Sequence, residues 1–366
     1  MKIALIITGL GIGGAERQLC DLADTFLMKN QKVIIISLTG PVIIKPNSDK
    51  IFIYEIGMRK TPWGFMRALW DVSGIIKKEN IDILHSHMFH ANIFSRSLRL
   101  FTKIPKLICT AHSINEGGSF RMFMYRITNW LSDINTNVGQ DAVNSFIKKK
   151  AMKENQIISI SNGIDTNKFI YSDELREKIR RELDIYDNIK LFLSVGRLHD
   201  SKDYPNLLYA FSILLKKKPL SYLIIVGNGP LIDKLMELAN NLNIMNNIRF
   251  LGARNDIPAL MSSCDTFVLS SKYEGQPLVI AEAMACQRYV VATDSGGVKY
   301  VLNNYGSLVP IGNSKKLADA MEKSIEIDRD KKHQLGLDAR KHIENNFSIE
   351  NLSIQWLRLY KKTEYI

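Results

Sequence analysis

Two glutamates, Glu274 and Glu282, stand eight positions apart across the start of a predicted helix. The apolar run Thr266–Leu269 predicts a buried strand before them, and Leu278–Ala285 is a strong helix former. A Gly-Gln-Pro turn joins the two elements, and proline is favoured in the first turn of a helix. Open α/β sheets bind ligands at such loops, where the carboxyl end of a strand leads into a helix.

This turn offers the chemistry of an anion site. The first backbone N–H groups of a helix have no partner inside it, and the helix dipole adds partial positive charge there. That arrangement suits a phosphate or a diphosphate. The candidate donors are the backbone N–H groups of Gly275, Gln276, Leu278 and Val279, with Pro277 at the start of the helix.

The two glutamates are not expected to bind the anion itself, because carboxylates repel it. They are placed to accept hydrogen bonds from hydroxyl groups on either side of it. We expect a sugar near Glu274 and a ribose near Glu282. The plainer alternative makes Glu274 a helix cap and Glu282 an exposed helical residue.

Two cations, Arg197 and Lys202, follow the predicted strand Lys190–Val195 and precede a helix. Cations at such a strand end can clamp a diphosphate, and arginine can bind it through two parallel hydrogen bonds. The alternative is a pair of surface cations. A tight Gly-Asn-Gly-Pro turn containing Gly229 follows the predicted strand Leu223–Val226 and belongs to the same face.

A glycine-rich loop follows the first predicted strand, and Gly9, Gly11 and Gly14 match the pattern G-x-G-x-x-G. In a dinucleotide-binding fold, the second strand leads to an acidic residue that holds a ribose. The second strand here, 32–38, offers no carboxylate at its end, which argues against an NAD enzyme. The other interpretation is that Gly13 and Gly14 let a ligand diphosphate approach the backbone at a domain interface.

Histidines follow two further strands. His85, His87 and His90 suggest a metal site, since His85 and His87 share one face of a strand end. No cysteine or carboxylate cluster accompanies them, so loop histidines around an acceptor pocket fit better. His112 stands at the next strand end beside a glycine-rich loop, where a purely structural loop histidine is the alternative. The D-x-D sequence at 328–330 lies in a polar helical tract and is interpreted as solvated, so no metal site is predicted.

The composition limits the partners. The chain has 366 residues, enough for two domains, and a net charge of +12 that favours anionic partners. No nucleic-acid-binding module is evident, so a membrane surface or a diphosphate-linked substrate is expected. The predicted helices Trp63–Lys78 and Phe120–Leu131 mix aromatic and basic residues as interfacial helices do. For the first, a core helix with a basic edge is an equal alternative. The four cysteines are widely spaced and are expected to be reduced core thiols.

Several segments together resemble the family 4 retaining glycosyltransferases, which have the GT-B fold. They are E-x7-E within EGQPLVIAE, GR-x4-K at Arg197 and Lys202, the GGAE loop, and NGID at 162–165. The runs DILHSHMFHAN and TAHSINEGG are similar to segments of bacterial members that build surface polysaccharides. The alternation of strands and helices independently predicts parallel α/β sheets.

The resemblance implies an α/β architecture of two facing Rossmann-like domains, with the active site in the cleft between them. Residues 1–185 would form the acceptor-side domain, and residues 186–346 the domain that binds the nucleotide sugar. Residues 347–366 would form a helix that crosses back to the first domain.

The resemblance also implies the reaction. A hexose or N-acetylhexosamine would pass from a nucleoside-diphosphate sugar, expected to be UDP-linked, with retention of anomeric configuration. The expected acceptor is a polyprenyl-diphosphate-linked glycan in the synthesis of a bacterial lipopolysaccharide or capsule. The enzyme would work in the cytoplasm, peripherally on the inner face of the membrane, and would need no metal and no cofactor.

Roles for single residues follow from the same resemblance. Arg197 and Lys202 would stabilise the departing diphosphate, Glu274 would hold the hexose, and Glu282 would hold the ribose. His112, with His87, would lie on the acceptor side. Two further positions join the donor site: Arg254, in the loop expected to read the base, and Gln276, where many relatives carry an aromatic or aliphatic residue.

Three other functions remain open at this point. An NAD-dependent oxidoreductase would use the G-x-G-x-x-G loop. A sugar-nucleotide epimerase with the GT-B fold would use similar anion sites without a sugar acceptor. A non-catalytic membrane-binding protein would bind lipid without turnover.

Overall fold

The computed structural model describes residues 1–11, 13–113 and 116–361 and divides into two compact units. The first unit is Met1–Gly163 together with the C-terminal segment from Ile349, and the second is Ile164–Ser348. Each contains one parallel sheet with helices on both faces. The prediction of two Rossmann-like α/β domains is therefore confirmed.

The sheet of the first unit has seven strands within the described residues, in the order β3-β2-β1-β4-β5-β6-β7. Residues such as Ile3, Leu5 and Ile6 are fully buried, because a parallel sheet is covered on both faces. The strands are β1 (Lys2–Ile7), β2 (Lys32–Ser37), β3 (Phe52–Glu55), β4 (Ile83–His87), β5 (Lys106–Ala111), β6 (Ile134–Asn137) and β7 (Ile157–Ser159).

Five helices of the first unit precede its last segment. They are α1 (Gly14–Met28), α2 (Pro62–Glu79), α3 (Phe89–Leu98), α4 (Ser119–Thr128) and α5 (Gln140–Lys148). Helix α1 packs on one face of the sheet, where Leu19 and Phe26 join the core around Leu5. Helices α2 and α3 pack on the other face, around Ile6. The helices predicted over 63–78 and 120–131 are confirmed, the second ending in a 3-10 turn over Asn129–Leu131.

The sheet of the second unit has six strands within the described residues, in the order β10-β9-β8-β11-β12-β13. The strands are β8 (Lys190–Val195), β9 (Ser221–Val226), β10 (Ile248–Phe250), β11 (Thr266–Leu269), β12 (Tyr289–Thr293) and β13 (Gly306–Val309). The helices are α6 (Asp173–Glu182), α7 (Tyr204–Lys217), α8 (Ile232–Asn241), α9 (Ile257–Ser263), α10 (Leu278–Ala285), α11 (Val298–Leu302), α12 (Ser314–Glu326) and α13 (Arg329–Phe347).

The division between the units falls at Gly163, whereas the sequence placed it at residue 185. The difference concerns helix α6, which packs on α9 in the second unit. Arg176 of α6 donates to Asp265 at 2.7 Å, and Arg180 lies 3.6 Å from the same carboxylate. This charge pairing ties α6 to the second unit.

The last helix, α14 (Ile349–Lys361), belongs to the first unit. Its residues Trp356 and Tyr360 are buried in the same core as α1. Gly163 lies against the start of α14, where an added Cβ would come within 2.7 Å of the Cα atom of Ile349. Phe347 and Ser348, which the sequence assigned to this segment, lie in the second unit, and residues 362–366 lie outside the described residues.

Two further findings concern the chain as a whole. Cys20, Cys109, Cys264 and Cys286 are buried free thiols, as the sequence predicted. Within the described residues, no helix combines the length and the apolar character needed to cross a bilayer.

Candidate functional site

The predicted donor-site residues of the second unit gather at one edge of its sheet. From β8 the chain builds the sheet outward through β9 and β10, and then returns to add β11, β12 and β13 on the other side. The sheet therefore has a topological switch point between β8 and β11, the place where open α/β sheets bind ligands. Arg197 and Lys202 follow β8, and Glu274 follows β11, so the predicted residues flank this point.

The loops at this edge approach one another through glycine backbones. A Cβ atom added to Gly227 would clash with the carbonyl oxygen of Gly196, and one added to Gly229 would clash with that of Leu198. On the other side, a Cβ atom on Gly296 would clash with the carbonyl oxygen of Glu274. Gly227 and Gly296 also have positive φ, at 135° and 54°, which favours glycine. Gly227 and Gly296 therefore require glycine for both packing and conformation, and Gly229 requires it for packing.

Glu274 and Lys202, 72 residues apart in sequence, form an ion pair. Lys202 Nζ donates to Glu274 Oε1 at 2.5 Å, and Ser271 Oγ donates to the same oxygen at 2.6 Å. The Glu274 side chain is only 9% exposed and that of Lys202 is 21% exposed, so the pair is largely shielded from water. No described residue donates to Glu274 Oε2. One carboxylate oxygen is thus held in place while the other can accept a hydrogen bond from a ligand.

Two loops hold this pair in position. Lys272 N–H donates to the Ser201 carbonyl at 2.8 Å, and Ser270 Oγ donates to the Lys202 carbonyl, also at 2.8 Å. Lys272 Nζ lies 3.1 Å from Asp203 Oδ1, which adds an ion pair between the same loops. The loops after β8 and β11 are therefore joined along their length. Ser271 and Asp203 were missed by the sequence analysis, and the only available signal was their nearness to Glu274 and Lys202.

Arg197 differs from Lys202. It is exposed, and its side chain forms no hydrogen bond or ion pair with any described residue. An arginine that points from a strand end with its five donors unused is available to bind an anion. The structure thus separates the two predicted clamp residues into one free cation and one cation already paired with a carboxylate.

Helix α10 begins at this edge without a side-chain cap, and its N-cap residue is Pro277. The alternative in which Glu274 caps the helix is therefore wrong, because that carboxylate bonds Lys202 and Ser271 instead. Leu278 and Glu282 are half-buried and lie four residues apart, hence on the same face of α10. Gly275 and Gln276 are also half-buried. The start of α10 thus has no side-chain cap, and binding of an anion there remains a prediction.

Arg254 has strong partners within its own unit. Its guanidinium donates to both carboxylate oxygens of Asp256, at 2.8 and 2.6 Å, and to Glu182 Oε1 at 3.0 Å. These bonds raise the pKa of Arg254 and lower that of Asp256. They fasten the end of α6 to the loop after β10, so a contact between Arg254 and a nucleotide base remains a prediction.

In the first unit, Gly13 is the N-cap of α1 and Gly14 is its first residue. Glu16 lies in the first turn, and its carboxylate folds back so closely that a Cβ on Gly13 would clash with it. Burial raises the pKa of Glu16. Gly14 is exposed, and the approach of a ligand diphosphate to this loop remains a prediction.

Three histidines of the first unit form a column at the carboxyl edge of its sheet. The rings of His85 and His87 lie 4.1 Å apart between centroids, so they share one face as predicted. His87 Nδ1 lies 3.0 Å from His112 Nε2, a hydrogen bond in which one ring donates and the other accepts. The third predicted histidine, His90, is exposed on α3.

Two ring nitrogens of the histidine column have no partner among the residues that the structure describes. His87 is 2% exposed, yet its Nε2 atom has no hydrogen bond to any described residue, and neither has the buried Nδ1 atom of His112. Burial lowers the pKa of both, that of His112 to about 4. The pair is therefore neutral at physiological pH and offers one free donor and one free acceptor. Unpaired buried polar atoms are uncommon in proteins, and a hydroxyl-bearing ligand would satisfy both.

His85 is held differently, by residues that the sequence analysis did not single out. Its Nδ1 atom bonds Tyr360 Oη and its Nε2 atom bonds Thr110 Oγ1, each at 2.6 Å. Both ring nitrogens are thereby satisfied, and burial lowers its pKa to about 3. No sequence signal could have paired His85 with Tyr360, because they lie 275 residues apart. Among the described residues, no three His, Cys, Asp or Glu side chains are grouped as a metal site requires.

Comparison with known families matches nearly the whole chain. The family model described as Glycosyltransferase Family 4 matches residues 12–168, and the model described as Glycosyl transferases group 1 matches residues 175–342. The junction between the two matches lies close to the division at Gly163.

Individual relatives are more distant. The chain is 27% identical over 300 residues to the UDP-Gal:alpha-D-GlcNAc-diphosphoundecaprenol alpha-1,3-galactosyltransferase of Escherichia coli, covering 78% of this chain and 76% of that one. It is 25% identical to the N-acetyl-alpha-D-glucosaminyl L-malate synthase of Bacillus anthracis, covering 98% and 97% of the two chains. Among solved structures, Anabaena HepE in complex with UDP matches with a TM-score of 0.86 and 21% identity, covering 98% and 99%.

Proposed function

Since this chain belongs to the family 4 glycosyltransferases and has their GT-B fold, we propose that it transfers a sugar from a UDP-sugar to a lipid-linked acceptor. The proposed donor site rests on the residues at the carboxyl edge of the second unit's sheet, at its topological switch point. There, a free arginine, a lysine–glutamate pair and an uncapped helix start surround loops that only glycine allows to approach so closely.

The donor diphosphate would bind Arg197 and the start of α10. Lys202 can contribute as well, because an ammonium group has three donors and Glu274 uses one of them. Lys202 thus orients the Glu274 carboxylate and neutralises it beside an anion. Glu274 Oε2 would accept a hydrogen bond from a hydroxyl of the sugar, and Glu282 would accept one from the ribose.

The reaction we propose retains the anomeric configuration. The bond between the anomeric carbon and the diphosphate breaks while the acceptor oxygen forms a bond to the same carbon on the same face. The acceptor proton passes to the leaving phosphate oxygen. Fixed positive charge from Arg197 and Lys202 stabilises the negative charge that develops on the diphosphate, usually the largest catalytic contribution. No carboxylate is required as a nucleophile, and no metal is required.

The transferred group is a hexose or an N-acetylhexosamine, and the acceptor is a glycan on a polyprenyl diphosphate. The name of the Escherichia coli relative includes alpha-D-GlcNAc-diphosphoundecaprenol, and this supports the choice of a lipid-linked acceptor. The free nitrogens of the His87–His112 pair would bind hydroxyl groups on the acceptor side. Such an acceptor lies in a membrane, so the enzyme would act peripherally, on the cytoplasmic face, in the synthesis of a surface polysaccharide.

The first experiment is calorimetric titration of the protein with UDP in EDTA, beside NAD. UDP should bind and NAD should not, because β2 is followed by no carboxylate for the ribose of NAD. Binding of NAD alone would contradict the proposal and would favour the alternative of an NAD-dependent oxidoreductase. Neither the family matches nor the solved relatives favour that alternative or the epimerase.

The second experiment is a transfer assay in EDTA with UDP-linked glucose, galactose and their N-acetylated forms. Acceptors would be polyprenyl-diphosphate N-acetylglucosamine and, because of the malate-glycosylating relative, L-malate. We expect transfer to the lipid acceptor, with an α-linkage in the product by NMR. A strict need for a divalent metal, or inversion to a β-linkage, would contradict the mechanism. Conversion of the UDP-sugar without an acceptor would indicate an epimerase.

A further inference from the structure

A cavity of about 650 Å³ lies at the amino edge of the first unit's sheet, opposite the edge that carries the histidine column. Its walls include the first residues of β4, β5, β6 and β7, which are Ile83, Lys106, Ile134 and Ile157. These four strands are neighbours in the sheet, so their starts form one continuous wall. We name this space the amino-edge cavity. Its volume falls within the range of small-molecule sites, roughly 300–1,000 Å³.

Most of the charged groups that line the amino-edge cavity already have partners inside the protein. Asp133 accepts two hydrogen bonds from Arg99, at 2.7 and 2.9 Å. Lys106 Nζ donates to two carbonyl oxygens at the end of α14, at 2.7 and 3.1 Å. The terminal amino group donates to a glutamine side chain at 3.0 Å. The other two charged side chains, Asp82 and Lys361, have opposite signs, so the described walls hold no cluster of free cations for a phosphate.

Several polar groups in the walls have hydrogen-bonding capacity that no described residue uses. Asn129 is only 8% exposed; its Oδ1 atom accepts from Asn135 at 2.8 Å, but no described residue accepts from its Nδ2 atom. Gln156 Oε1 accepts from a backbone N–H group at 3.0 Å, and its Nε2 atom is likewise unused among the described residues. Asp82 accepts from the backbone of β1 through one oxygen, which leaves the other available. The cavity thus offers both donors and an acceptor to a ligand.

Apolar side chains complete the walls. Trp130, in the 3-10 turn between α4 and β6, lines the cavity and is 73% exposed. Ile134 and Ile158 are half-buried and line it as well. An exposed indole ring beside free amide groups offers a ligand an apolar face together with hydrogen bonds.

This combination matches the chemistry of a carbohydrate. A pyranose ring has apolar C–H faces that can stack on an indole ring, and hydroxyl groups around its edge that can pair with amides and a carboxylate. It carries no charge, so it needs none of the free cations that a nucleotide diphosphate would need. A lipid chain, in contrast, would bury the free amide of Asn129 without giving it a partner, which costs free energy.

We propose that the amino-edge cavity binds a neutral oligosaccharide. One sugar ring would stack on Trp130, and its hydroxyl groups would bond Asn129, Gln156 and Asp82. The ligand is held there and not converted, because the donor site and the histidine column lie at carboxyl edges of the two sheets. A second glycan site would keep a growing saccharide chain on the enzyme by raising its local concentration, a purpose that rests on the proposed function.

The test titrates the full-length protein with two neutral tetrasaccharides, maltotetraose and chitotetraose, and measures affinity by saturation-transfer difference NMR. At least one of them should bind saturably, with a Kd of about 1 mM or lower. The affinity should not change when salt is raised, because the ligand is uncharged. Saturating UDP should not compete, because the donor site lies in the second unit. Since no turnover is measured, failure here would leave glycosyl transfer untouched, and calorimetry with UDP checks the donor site separately.

Matched variants locate the saccharide. Trp130→Ala should weaken binding by about 10-fold or more, because it removes the stacking surface. Gln156→Ala should weaken it by about 5-fold, the loss expected for one hydrogen bond. The control is Trp63→Ala, which removes a tryptophan that is 85% exposed and lies on α2, outside the walls of this cavity. It should bind the tetrasaccharide like the wild type, and thermal unfolding should show that all three variants are folded.

Three results would overturn the proposal. The first is that neither tetrasaccharide binds the wild type. The second is an equal loss of affinity in Trp63→Ala and Trp130→Ala, which would indicate unspecific contact with exposed tryptophans. The third is normal binding by Trp130→Ala together with loss of binding in His112→Gln. That result would place the saccharide at the carboxyl edge, on the acceptor side, and leave the amino-edge cavity without a ligand.

Discussion

At the scale of single residues, the donor site combines two cations with different tasks. Arg197 is free, while Lys202 is bonded to Glu274. A residue that only binds the ligand can be removed without loss of stability, whereas removing one partner of a shielded ion pair leaves the other charge uncompensated. The two predicted clamp residues should therefore respond differently to the same substitution.

Arg197→Ala should lower kcat by about 100-fold, the loss typical of one charge-stabilising group, and leave Tm unchanged. Lys202→Ala should lower kcat by a similar factor and also lower Tm, because Glu274 loses its partner. Steady-state kinetics and thermal unfolding check both, with Lys216→Ala as the exposed-lysine control. Near-normal turnover in both variants would refute the diphosphate clamp.

The histidine column predicts how stability depends on pH. The pKa values of His85 and His112 are lowered from 6.5 to about 3 and about 4 by burial. As pH falls below about 6.5, the unfolded chain takes up protons that the folded first unit excludes, so the free energy of unfolding decreases. Above that pH these histidines contribute no slope.

Measuring the free energy of unfolding in urea at pH 7.5 and at pH 5 checks this expectation. The two values lie above and below about 6.5, the ordinary pKa of histidine. His112→Gln should reduce the loss of stability on acidification, because the variant has one fewer buried histidine. His333→Gln, which changes an exposed histidine in the second unit, should leave the loss as in the wild type. An identical acid response in wild type and His112→Gln would show that His112 is accessible to protons in the folded state.

At the scale of elements, the donor site depends on loops that meet backbone to backbone. Glycine at 227 and 296 is required twice, by positive φ and by the carbonyl oxygen that faces each residue. Helix α10 and the loops after β8, β9 and β12 thus reach the switch point without a side chain between them. The order of the strands places these loops side by side, and the glycines allow their backbones to come into contact.

Gly227→Ala should therefore displace the loop after β8 and weaken UDP binding by about 10-fold or more. The substitution also strains the backbone, because alanine at this position must adopt a positive φ. The matched control is Gly312→Ala, which also has a positive φ, of 68°, but open space where the Cβ would lie. Calorimetry with UDP separates the two effects. Equal losses of affinity in both variants would show that backbone strain, and not the close approach of the loops, sets the effect.

At the scale of the whole molecule, helix α6 decides where the second unit begins. Arg176 and Arg180 surround Asp265, and they also donate to the carbonyl of Ser263 at 2.7 and 3.1 Å. A chain of residues 164–348 should fold cooperatively and bind UDP. A chain of residues 186–346 lacks both arginines, leaves the buried face of α9 open, and should be less stable.

Circular dichroism on thermal unfolding, together with UDP titration, checks this pair of chains. The matched comparison is Arg176→Ala in the full-length protein, which should lower the stability of the second unit without altering the first. If residues 186–346 proved as stable as residues 164–348, α6 would contribute nothing to the stability of the second unit.

The sequence by itself determined the helices and strands and predicted the chemistry of the loops between them. Apolar runs predicted the strands, and glycine and proline predicted the turns after them. The types and spacing of Glu274, Glu282, Arg197 and Lys202 predicted a diphosphate site, which the family resemblance extended to a nucleotide sugar. These features are local: each depends on a few neighbouring residues, so periodicity and turn chemistry are sufficient to predict them. The same holds for the aromatic and basic composition of α2 and α4.

Only the tertiary structure decided which residues are partners. It paired Lys202 with Glu274 across 72 residues, bonded His85 to Tyr360, and used Arg254 to hold α6. It also moved α6 into the second unit. Such contacts depend on the order of strands in a sheet and on which helix covers which face. Both are set by packing between distant segments, which local sequence patterns do not encode.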